Sequence, residues 1–120
     1  MNNDILWIEP ARTVRSSKGC DVIVSHYANR DKKKMTLTFY DNSWLKVTHH
    51  EYLNVGIDTK NMRILLKDPY PNRGSYKLAK VNGPSMKRIS VPFCDESFNG
   101  EYNLVLDDEI QGAWHTERVR

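Results

Sequence analysis

Only two cysteines occur in the 120 residues, Cys20 and Cys94, so a disulfide framework is excluded and one bridge is the most that could form. Nothing around them has the spacing of a zinc site, and both are expected as reduced, buried thiols. No apolar run approaches the roughly 20 residues of a membrane-spanning helix. Met1–Pro10 has no basic start followed by an apolar core, so no secretory signal is expected and the setting is read as cytoplasmic. His26, His49, His50 and His115 do not stand at metal-ligand spacing with one another or with the cysteines. His49-His50-Glu51 comes closest, but adjacent helical positions point about 100° apart and seldom share an ion. Asp107, Asp108 and Glu109 are read as a solvated turn in preference to a cation site. There is no nucleophile elbow and no glycine-rich loop after a strand. No catalytic residue, metal or cofactor is therefore expected, and the chain is read as non-enzymatic.

A chain of this length cannot bury two independent cores, so one domain is expected. Hydrophobic residues make up 39% and charged residues 28%, enough apolar material for a fold. The net charge of +3 conceals segregation: residues 1–10 carry −2, residues 11–40 carry +5, residues 41–59 carry −2, residues 60–90 carry +7 and residues 91–120 carry −5. Such local concentration is what a phosphate-binding surface requires, more than a high total.

The chain also repeats itself. At an offset of 54, Lys34 falls on Arg88, Thr36 on Ser90, Phe39 on Phe93, Asp41 on Asp95, Ser43 on Ser97 and Trp44 on Phe98. After a four-residue shortening, Glu51-Tyr52 falls on Glu101-Tyr102, Val55 on Val105, Asp58 on Asp108 and Ile64 on Trp114. Collinear matches that preserve the hydrophobic pattern point to an internal duplication.

Local patterns give each unit the same plan. Met35, Leu37 and Phe39 alternate with Thr36, Thr38 and Tyr40, the period of a strand with one buried face, and Ile89, Val91 and Phe93 repeat it. Pro92 places the second of these strands at an edge or at its end. Cys20–Tyr27 is expected to pair with Lys34–Phe39, and Ser75–Val81 with Lys87–Phe93. Asp41 and Asp95 stand as N-caps of short helices, the first burying Trp44 and Leu45, with Val47 beside them. Leu53, Val55 and Ile57 then form a hairpin with Ile64 and Leu66, mirrored by Tyr102, Leu104 and Leu106 with a strand toward Trp114. The expected fold is thus mainly β with one or two short helices, two hairpin–helix–hairpin repeats forming a small pseudo-symmetric β-barrel. Its divisions are an N-terminal strand (Ile5–Ile8) and basic connector over 1–18, unit one over 19–68, a Pro/Gly linker over 69–74 and unit two over 75–120.

Lys33–Phe39, a short helix over Asp41–Val47 and a hairpin closing on Arg63–Lys67 together resemble half of an AbrB-type swapped-hairpin domain, a family of bacterial regulators and antitoxins. The resemblance covers roughly residues 32–67 and, more weakly, 86–116. The proline that usually follows the family's first strand, and the Gly-Asp pair that usually opens its second hairpin, are absent. The resemblance implies a shared barrel, a chain working as a pseudo-twofold monomer or as a homodimer, and DNA contacts from Lys32, Lys33 and Lys34 in unit one with Lys87 and Arg88 in unit two. From the residues themselves, the basic hairpin over Ser75–Phe93 adds Lys77 and Lys80, with Arg73 at its entrance and Tyr70 and Tyr76 nearby. The expected partner is duplex DNA, bound through its phosphates, with Lys33, Lys34, Lys87 and Arg88 on one exposed face. The rival expectation is a protein-binding module, such as a mobile-element inhibitor of a host nucleic-acid enzyme or defence complex, of the anti-CRISPR kind, presenting its acidic last thirty residues.

Overall fold

Period-two alternation becomes nine strands in the computed structural model, which describes residues 19–28, 33–68, 75–81, 83 and 85–119. In chain order these are β1 (Val22–Ala28), β2 (Lys33–Phe39), β3 (Tyr52–Asp58), β4 (Arg63–Lys67), β5 (Tyr76–Lys77), β6 (Ala79–Lys80), β7 (Lys87–Val91), β8 (Gly100–Leu106) and β9 (Ala113–Arg118). They pair antiparallel in the order β5-β3-β4-β9-β8-β1-β2-β7-β6. Since β5 and β6 are halves of one extended segment, the two ends of that order meet, and the sheet curls into a nearly closed barrel.

The barrel is filled by the inward-facing set that the alternation marks. Val22, Met35, Leu37, Phe39, Leu53, Ile64 and Leu66 have no exposed surface, and Ile89 and Val91 almost none. Phe98 closes one part of the core, edge-on to Phe93 with ring centres 5.8 Å apart. Tyr102 is buried beside it, its hydroxyl donating to the Phe98 carbonyl oxygen at 2.6 Å and accepting from Arg118 Nη2 at 2.7 Å. The hydroxyl is thereby satisfied both as donor and as acceptor inside an apolar setting. No helix among the described residues is long and apolar enough to cross a membrane.

The expected short helical pieces are single 3₁₀ turns, Ser43–Lys46 and Glu96–Phe98. Four local expectations are corrected. Asp95 does cap the second, accepting from the Ser97 N–H at 3.0 Å, whereas at the first the cap position falls to Asn42, whose side chain makes no cap bond. Asp41 (φ 52°) and Asn42 (φ 61°) are both left-handed, and a cap residue needs an extended backbone. They reverse the chain so that the Ser43 N–H donates to the Tyr40 carbonyl at 2.9 Å and the Ser43 hydroxyl to the Asp21 carbonyl at 2.7 Å. With three residues per turn, Trp44 and Val47 share the inner side, which leaves Leu45 46% exposed.

The segment Ser75–Val81 is the third correction, because only its second half pairs with β7. Ala79 and Lys80 lie opposite Arg88 and Lys87, while Tyr76 and Lys77 lie opposite Leu53 and Tyr52 of β3. Leu78, buried in the core, sits at the change of partner and donates its N–H to the Glu51 carbonyl at 2.8 Å. Cys94 is the fourth: it is exposed beyond the end of β7, Cys20 is buried, and the two are not bridged. Strand β7 stops at Val91, before Pro92, as the missing N–H requires. The expected strand Ile5–Ile8, the connector to residue 18 and the linker 69–74 lie outside the described residues.

Candidate nucleic-acid interface

The barrel's outer surface over β1, β2 and β7 is decided by strand parity. Residues that alternate with the core set point outward, and the register β2 to β7 places Thr36 opposite Ser90, with Thr38 opposite Arg88. The register β1 to β2 places Ser25 opposite Thr36 and Tyr27 opposite Lys34. Side chains directly opposed on one face are within contact distance. Hence Ser25, Tyr27, Lys34, Thr36, Arg88 and Ser90 share one outer face.

They line a groove of about 520 Å³, with His26 at its wall. The Ser25 and Thr36 hydroxyls are 2.9 Å apart, Lys34 Nζ lies 5.4 Å from the centre of the Tyr27 ring, and Arg88 Nε donates to Thr38 Oγ1 at 3.0 Å. That last bond fixes the guanidinium plane without using either Nη. His26 accepts the Asp95 N–H on Nε2 at 2.8 Å and donates from Nδ1 to Asn99 Oδ1. Both ring nitrogens are committed, so this imidazole braces the groove and is not a base or a ligand. The Asp95 carboxyl is held below the usual carboxylate range, chiefly by the Ser97 hydroxyl and then by its N–H.

A second groove of about 430 Å³ adjoins the first and shares Arg88 and Ser90 with it. Lys77 and Lys80 stand on this side, together with Tyr76, Ala79, Val81 and Ile89. Among the described residues that line the two grooves there are four cations, Lys34, Lys77, Lys80 and Arg88, and no carboxylate.

The eight expected contact residues thus separate. Lys32 and Arg73 lie outside the described residues. Lys33 and Lys87 have the parity of the core set and occupy opposite ends of the β2–β7 pair, Lys33 opposite Ala28 and Lys87 opposite Phe39. Lys87 lies over the Trp44 ring, 5.0 Å from its centre, a cation–π contact that ties it to the barrel end. Lys34, Lys77, Lys80 and Arg88 are the ones brought together. The hydroxyls of Ser25, Thr36 and Ser90 and the ring of Tyr27 were not anticipated as a site; strand parity was the signal that would have put them beside Lys34 and Arg88.

Other cations are occupied elsewhere. Lys46 pairs with Asp21 at 2.9 Å, and Arg118 donates to the carbonyls of Asn99 and Ser97. Arg63 joins two hairpins, bonding Asp58 at 3.1 Å and lying 3.7 Å from Asp107. Asp58 is lowered to about 2 by the Asn61 side-chain amide and backbone N–H, with Arg63 adding to them. Asp107, its side chain 1% exposed, is held low by the Ile110 N–H and by His115, whose Nδ1 is 2.8 Å away. Among the described residues no group of three His, Cys, Asp or Glu side chains is placed to hold a metal ion. No family model, no curated protein and no solved structure matches the chain.

Proposed function

We propose that the protein is a non-enzymatic nucleic-acid-binding regulator of the cytoplasm that grips phosphates through the outer face of β1, β2, β7 and the β5–β6 segment. The observation that carries this reading is the pair of adjoining grooves whose described lining holds four cations, Lys34, Lys77, Lys80 and Arg88, and no carboxylate, in a chain where other cations are already paired. Serine and threonine hydroxyls beside lysine and arginine are ordinary phosphate partners, and contacts of this kind position a nucleic acid without reading its bases. Duplex DNA is the first ligand to test.

The AbrB-like reading of the chain as two half-domains belongs to this proposal. Its support is that Thr36 and Ser90, matched at the offset of 54, are directly opposed in the sheet, as are Leu65 and His115, the neighbours of the matched Ile64 and Trp114. A twofold relation between units would produce such self-opposed pairs, and it would make Lys34 and Arg88 counterparts. A chain that nearly closes its own barrel works as a monomer on this reading. The inhibitor alternative draws less support, because Asp95 and Asp107, two carboxylates of the acidic last thirty residues, are spent on their own turns.

Fluorescence anisotropy of labelled duplex at several salt concentrations tests the proposal. The Lys34→Glu, Arg88→Glu double variant is expected to bind at least ten-fold more weakly, with the log–log salt slope reduced by about two, at little cost in thermal stability. Unchanged affinity in that variant, or no binding by the native chain at low salt, would sink it.

A further inference from the structure

The two grooves differ in chemistry although they adjoin. The first is lined by hydroxyls and cations. The second has an apolar floor of Ala79 and Val81 among Lys77, Lys80 and Arg88, with Tyr76 also in its lining and Ile89 turned inward to the core. The ladder explains the difference. Tyr27 lies opposite Lys34 and puts a ring beneath its ammonium in the first groove, whereas Ala79, opposite Arg88 in the second, puts only a methyl group there. The second groove also lies where the extended segment turns from β7 to β3 at Leu78, so the sheet is parted between Lys77 and Ser90.

Resting on the reading of this face as a phosphate surface, we propose that the second groove receives an unpaired base whose phosphate is held by Arg88 at the boundary with the first, so that single-stranded nucleic acid is preferred over duplex. A nucleotide joins an anion to a flat, largely apolar ring, and this matches a cationic lining shared with a hydroxyl-lined groove on one side and an apolar floor on the other. Paired bases in a duplex are stacked inside the helix and cannot present their faces to such a floor, whereas unpaired ones can. Base–aromatic contact with Tyr76 and cation contact from Arg88 would add to the phosphate attraction.

The test compares, by anisotropy at one salt concentration, a single-stranded oligonucleotide, its duplex, and the same single strand with abasic linkers that keep the phosphates but remove the bases. The expected result is single-strand binding about ten-fold or more tighter than duplex, with the abasic strand falling back to the duplex level. Ala79→Ile, an exposed position on a strand, fills the groove without changing charge and should abolish the preference, bringing single strand and duplex to the same affinity. Equal affinity for single strand and duplex, or abasic and native strands bound alike, overturns the inference and leaves the phosphate-binding reading intact. Absence of binding to any of the three overturns both.

Discussion

Individual side chains show where this sequence works against its own backbone. Met62 closes the β3–β4 turn at φ 54°, a left-handed conformation that a residue with a Cβ adopts at a cost of about 1–2 kcal/mol. It is 38% exposed, so little packing compensates. Met62→Gly is expected to stabilise the protein by about 0.5–1 kcal/mol despite the added freedom of the unfolded chain, read as a higher urea midpoint at unchanged m-value. An unchanged or lower midpoint would mean that the Met62 side chain holds the turn through contacts worth more than the strain. Asp41 and Asn42 carry the same conformation, but their short polar side chains tolerate it better.

Turns and hairpins depend on carboxylates more than on helix caps. Asp58, Asp68, Asp95 and Asp107 all titrate below the ordinary carboxylate range, because hydroxyls, amides or backbone N–H groups bond their ionised forms. A carboxylate with a depressed folded pKa contributes stability that is complete above its unfolded value. That contribution is lost as pH falls through the folded value, about 2 for Asp58. Thermal stability should therefore fall steadily from about pH 4 toward pH 2, and Asp58→Asn should lower the native midpoint at pH 7 while narrowing its difference from the native chain at pH 2. A constant difference across that range would assign the effect of the substitution to packing. These elements also show what could be read in advance. Asp95 was legible as a cap because Ser97 follows at the right distance, and the strands were legible because Met35, Leu37, Phe39 and Ile89 alternate without interruption. Asp41 looked identical in sequence; its role was set by the chain having to turn sharply so that Ser43 reaches Asp21, a contact 22 residues away. The divided loyalty of Ser75–Val81 was hidden for a similar reason, since Leu78 reads as one more alternating residue until β3 supplies its partner at Glu51. The six described basic residues of the expected interface were named; the parity that sets Lys33 and Lys87 apart from Lys34 and Arg88 was readable in the alternation, whereas the approach of Lys77 and Lys80 to Arg88 follows from the β6–β7 register, which no local pattern fixes.

In the molecule as a whole, neither unit encloses its own core. Pairings β1–β8, β2–β7, β3–β5 and β4–β9 all join residues of 19–68 to residues of 75–120. Each half expressed alone would leave apolar faces such as Met35-Leu37-Phe39 or Ile89-Val91 uncovered, and edge strands unpaired. Separate peptides 1–68 and 75–120 are expected to show little sheet by circular dichroism, and to recover it on mixing. A folded, monomeric half would show that the long-range pairings are dispensable. The same arrangement predicts slow folding relative to helical proteins of this size, because the ring closes only through contacts distant in sequence.

Tyr27 opposite Lys34 and Ala79 opposite Arg88 carry one more consequence. On the duplication inferred above, a symmetric pair of identical subunits would be obliged to present the same groove twice, and a strand could lie across it in either sense. A single chain is under no such obligation. With a tyrosine on one side and an alanine on the other, the surface has a head and a tail, and a 5′-to-3′ strand laid along it would have only one way round.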